Sequence, residues 1–167
     1  YARCVHAWHH LHADRAMKTV RVLALALLAA LSSWAGAATF LVDDSQSQVL
    51  QPNLPLQWRS FTPAAGDHQV QGATRVQVRL DTRAWVGKQA SIYMALPPQP
   101  GNVIQAQWQT LGTMVNGQLN SGQRALVWSG VVPAALLEDV LTVTVQTDGR
   151  LLSAPQRLRF YFEIDLP

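Results

Sequence analysis

The ten residues before the C-terminal proline alternate without a break. Leu158, Phe160, Phe162, Ile164 and Leu166 share one parity, and Arg157, Arg159, Tyr161, Glu163 and Asp165 share the other. Successive side chains of an extended strand point to opposite faces, so this spacing makes one apolar face and one wet face. It also fixes register, because a slip of one residue would turn the whole apolar set to water. The same period of two runs through Val76, Val78 and Leu80, through Ile92, Met94 and Leu96, through Ile104, Ala106 and Trp108, and through Leu141, Val143 and Val145. Leu126 and Trp128 belong to another short strand.

Turn-forming residues fall between these runs. They include Pro63–Asp67, Val86-Gly87-Lys88, Pro97–Gly101, Asn116-Gly117, Asn120-Ser121-Gly122 and Asp148-Gly149. Asp148-Gly149, set between Val145 and Leu151-Leu152, predicts a hairpin. Only Pro133–Asp139 reads as helical, a short stretch with Pro133 suited to a first helical position. The pattern predicts an all-β fold, an immunoglobulin-like antiparallel β-sandwich of about seven or eight strands. Trp58, Trp85, Trp108 and Trp128 are expected to supply core bulk, with at least two of them buried.

The first forty residues have a different character. Met17 is followed by Lys18 and Arg21, an apolar run from Val22 to Leu31, and the small residues Ala35-Gly36-Ala37-Ala38. This is the order of a secretory leader: a positive start, a short apolar middle and a small-residue cleavage site. A signal helix is therefore expected over 17–38, with cleavage after Ala37 or Ala38. Residues 1–16 precede the first methionine and are expected to be a gene-start artefact. Their Cys4, His6, His9, His10 and His12 then carry no metal chemistry. The remaining divisions are an extended segment over 39–53 and a β-sandwich domain over 54–167.

Removing residues 1–37 removes the net charge. Arg3, Arg15, Lys18 and Arg21 stand against Asp14 there, which accounts for the whole +3. The remainder holds nine basic and nine acidic residues. It has no arginine stripe of the kind a phosphate binder needs, so no nucleic-acid partner is expected. Contact with a membrane is expected only through the leader before cleavage. Cys4 is the only cysteine, so disulfides, thiol catalysis and cysteine zinc sites are absent from the mature part.

No catalytic constellation emerges. His68 is the single histidine of the mature part and lies in a polar loop. No Gly-x-Ser-x-Gly elbow exists to partner it, and one histidine is too few for a zinc site. Asp43-Asp44 and Glu138-Asp139 are neighbours in sequence, and in extended chain such neighbours face opposite ways. The chain is thus expected to be no enzyme and to need no cofactor or metal. Trp85, beside the turn at Val86-Gly87, is a candidate to stack on a ligand such as a sugar ring.

Three features together resemble subunits and accessory proteins of bacterial chaperone–usher fimbriae. They are the secretory leader, the apolar-then-polar stretch from Thr39 to Leu50, and the alternating C-terminal strand from Leu158 to Leu166. The resemblance implies an incomplete immunoglobulin-like sandwich completed by an added strand, in the periplasm or at the surface of a Gram-negative bacterium. It implies exported partners: a fimbrial subunit, a chaperone or an usher. Strand addition works by main-chain hydrogen bonds for affinity and alternate side chains for specificity. The candidate partner-binding residues are Phe40 and Val42 near one end and Leu158, Phe160, Phe162 and Ile164 at the other. The chain departs from the family in lacking a penultimate tyrosine, with Leu166 there instead, and in having no disulfide. A periplasmic ligand- or carbohydrate-binding module and a small carboxylate hydrolase are the alternative readings.

Overall fold

A computed structural model of the chain describes residues 38–59, 67–152 and 157–167. The segment 1–16, the expected leader apart from Ala38, and most of the Pro63–Asp67 turn lie outside the described residues. The strands are β1 (Ala38–Val42), β2 (Gln48–Val49), β3 (Gln57–Trp58), β4 (Gln69–Asp81), β5 (Gln89–Ala95), β6 (Gln105–Thr110), β7 (Gly117–Asn120), β8 (Arg124–Val131), β9 (Leu136–Asp148) and β10 (Tyr161–Leu166).

They form two antiparallel sheets. The first has the order β1-β10-β5-β8, and the second β2-β4-β9-β6-β7, with β3 also on β4. The chain crosses between the two sheets at six of its nine strand-to-strand connections, the exceptions being β2-β3-β4 and the β6-β7 hairpin, so the fold is a sandwich. The inner faces meet in one apolar core that includes Val78, Leu80, Ile92, Trp108, Val127, Leu141 and Ile164. Trp108 and Trp128 are both buried in it, as expected for two of the four tryptophans.

The alternation of β10 is realised as read. Phe162 and Ile164 point into the core, while Leu158, Phe160 and Leu166 pack partly buried against it. The regular strand begins only at Tyr161, so Leu158–Phe160 lead into it as irregular chain. β2 and β3 add strands beyond the expected seven or eight. At two residues each they are too short to leave a periodic signal.

Two local expectations are corrected. Pro133–Asp139 is not helical, since β9 starts at Leu136. Leu136–Asp148 pairs without interruption with Gln69–Asp81 of β4. Thirteen residues of ladder override a weak local helix preference. Asp148-Gly149 makes no hairpin. Asp148 has φ −75°, and its carboxylate accepts from the Arg150 amide to open a 3-10 turn at Gly149–Leu151. A two-residue hairpin turn would need positive φ there.

One close approach closes the second sheet. Gly72 shares the inward parity of Val70, Val78 and Leu80 on β4. A side chain at Gly72 would meet the Pro55 carbonyl oxygen at 2.8 Å and Leu54 Cγ at 2.9 Å. Leu54, in the excursion between β2 and β3, packs against the core at that place.

Candidate functional site

β1 is the outermost strand of the first sheet. It runs antiparallel to β10, with Ala38 opposite Leu166, Phe40 opposite Ile164 and Val42 opposite Phe162. β10 is paired on both sides, by β1 and by β5. Among the described residues nothing pairs with the other edge of β1. Alternation sorts its side chains. Val42 is buried in the core, and Phe40 leans on Trp85 with ring centroids 6.1 Å apart. Leu41 has the opposite parity, lies on the outer face and is 72% exposed. At Asp43 the chain leaves this sheet and bridges to Asp81 of the second.

A polar network on the outer face holds β1 in place. Thr39 Oγ1 donates to Asp165 Oδ1 at 2.6 Å. Arg124, reaching over from β8, donates to Glu163 Oε2 at 3.0 Å and to Asp165 Oδ2 at 3.0 Å. On the way its guanidinium lies 4.4 Å from the centre of the Tyr93 ring on β5. All four strands of the sheet are thus tied together. The Thr39 hydroxyl first, and Arg124 after it, hold the Asp165 carboxyl below the usual carboxylate range. The same contacts raise Arg124. The pair lies at the surface, with Arg124 exposed and Asp165 half-buried, so its effect on stability is modest and partly screened by salt.

The sequence-derived candidates divide accordingly. Phe40 and Val42 sit on β1, facing Ile164 and Phe162 across the ladder, so these four are brought together. Val42, Phe162 and Ile164 are core residues, and β10, paired on both sides, offers no free main-chain edge, so of these strands only β1 has one among the described residues. Leu158 and Phe160 are half-buried on the approach to β10. Trp85 lies in the 3-10 turn Arg83–Trp85, packed against the core and beside Phe40.

Sequence reasoning missed Leu41, Thr39 and Arg124. Leu41 carried the one available signal: an apolar residue at a position whose parity assigns it to water. Nothing in the sequence announces that Arg124 spans a strand to reach Asp165.

The adjacent carboxylates have structural work. Glu138 is exposed and pairs with Arg79 at 2.6 Å. Asp139 is buried, and its oxygens accept from Thr110 Oγ1, the Met114 amide and the Val140 amide at 2.6–2.8 Å. Asp43 accepts from the Ser45 amide, which keeps its carboxyl below the usual range. No family model matches the chain, and no curated protein and no solved structure is similar to it.

Proposed function

We propose that this is an exported, non-catalytic protein of immunoglobulin-like sandwich type that acts by strand contact at the β1 edge, in association with fimbriae. One observation carries the reading: an uncharged strand, Ala-Thr-Phe-Leu-Val, lies at the rim of the first sheet with its outer edge unpaired among the described residues. Such an edge presents free main-chain donors and acceptors and is a template for another strand. The switching of the chain between sheets supports the immunoglobulin-like form. The expected cleavage point supports export, because it falls at the first residue of β1 and leaves β1 as the amino-terminal strand. The partner is another exported protein in the periplasm or at the cell surface.

A photo-crosslinking amino acid at Leu41, in the full chain expressed in a Gram-negative bacterium, tests this. The expected result is an adduct with an exported protein that is absent when the crosslinker is placed at Val103, another exposed apolar residue. Equal labelling from both positions, or none from Leu41, contradicts it.

A further inference from the structure

We propose that two copies of the mature chain pair through the outer edges of their β1 strands, antiparallel about a two-fold axis at Phe40, so that two four-stranded sheets become one of eight. The inference rests on the strand-contact reading above and on cleavage after Ala37.

Comparison of the four sheet edges singles out β1. Edge strands are normally blunted by charge, proline, bulges, short length or cover. β8 carries Arg124, a register break opposite Ile92/Tyr93 and Gly130 at φ +150°, and its Val127 carbonyl accepts from the Val115 amide. β2 and β3 are two residues each, separated by a stretch holding Pro52 and Pro55. β7 is four residues long and begins at a glycine. β1 has no charge, no proline and no bulge, pairs regularly along all its five residues, and is uncovered at its outer edge among the described residues.

The side chains and charges select a second copy as the occupant. With Phe40 on the axis, Thr39 faces the partner's Leu41 and Ala38 faces the partner's Val42. Each off-centre pair sets a smaller residue against a larger one, as cross-strand packing prefers. The new α-amino group at Ala38 then lies beside the partner's Asp43, once at each end of the ladder. An α-amino group titrates near about 8 and is charged at neutral pH. Asp43 is exposed and ionised, its carboxyl lowered by the Ser45 amide. A parallel pairing would instead set Asp43-Asp44 of both copies side by side, and like charges directly opposite are unfavourable.

Five residues of edge bury far less than the roughly 1,200–2,000 Å² of a stable complex. The dimer is therefore weak and reversible, forming as protein concentration rises towards the millimolar range.

Sedimentation velocity of the secreted protein over a concentration series reads this directly. Wild type should move from monomer towards dimer, while Leu41→Lys should stay monomeric because it places two ammonium groups diagonally across the axis. Val103→Lys, with the same charge added elsewhere, should follow wild type. Intact mass should show a chain beginning at Ala38, and a different first residue removes the pair with Asp43 and overturns the register. A wild type that stays monomeric, or a Leu41→Lys variant that dimerises as well, overturns the proposal. If the monomer nonetheless crosslinks through position 41 to another exported protein, strand contact stands and only self-pairing falls. If neither occurs, both fall.

Discussion

Asp139 shows what a single side chain decides in this fold. Its carboxylate is buried and takes three hydrogen bonds, one from Thr110 at the end of β6, one from Met114 in the β6–β7 connection and one from the Val140 amide. Gly112 of that connection passes so close that a side chain there would meet Asp139 Oδ1 at 2.6 Å. Asp139→Ala strands the Met114 amide and the Thr110 hydroxyl. Leaving buried groups unmade costs about 1–3 kcal/mol each, so urea unfolding should show a loss of at least about 2 kcal/mol. Glu138→Ala, removing an exposed ion pair, should cost less than about 1 kcal/mol. The acidic pair was visible in the sequence. Its division into an anchor and a surface ion pair was not, because it follows from the strand parity of β9, and that stretch reads locally as a helix.

The half-buried surface carboxylates make a pH prediction at the same scale. Asp148 is lowered to about 2 by the Arg150 guanidinium and amide. Asp67 is lowered by the Gln69 amide and Arg59, and Asp165 by Thr39 and Arg124. A depressed folded pKa means stability that is present above the ordinary carboxylate range and lost as pH falls through the folded value. Asp44 is raised by burial and acts with the opposite sign. The thermal midpoint should therefore fall between pH 4 and pH 2, and Asp148→Asn should flatten the lower part of that fall. The slope should shrink in high salt, because these ion pairs lie at the surface.

Among the elements, β10 was the most legible. Its alternation gave both its extended form and the side that faces the core, since burial depends on parity alone. β9 was legible only in part. Leu141, Val143 and Val145 announced a strand, whereas the Ala, Leu and Glu residues before them favour a helix locally and yield to pairing with β4. The pairing of Leu54 with Gly72 left no trace in the sequence, because a glycine inside a strand does not name the residue that fills its place. The two positions should be coupled. Gly72→Val should destabilise by about 1–3 kcal/mol through overpacking. Adding Leu54→Ala to that variant should cost less than Leu54→Ala does in wild type. A double-mutant cycle measures the difference, and additive losses would mean that Leu54 does not occupy the space above Gly72.

For the whole molecule, periodicity defines faces but not neighbours. That the apolar faces meet between two sheets follows from the pattern and is what the structure has. Which strand stands at which edge does not follow, because main-chain pairing carries little sequence information. The position of β1 outside β10 was therefore invisible, and with it the edge on which the functional reading depends. The core sets the stability of the assembly: Trp108→Ala, which also removes the Nε1 bond to the Val115 carbonyl, should cost about 3–5 kcal/mol and remain separable from any change at β1. Residue-resolved amide hydrogen exchange on the dilute protein tests the β1 edge most directly. Amides of Thr39–Val42 that face β10 should exchange slowly and those between them fast, in alternation. Uniformly fast exchange would mean that β1 is not docked on β10, and uniformly slow exchange in the monomer would mean that its outer edge is already covered.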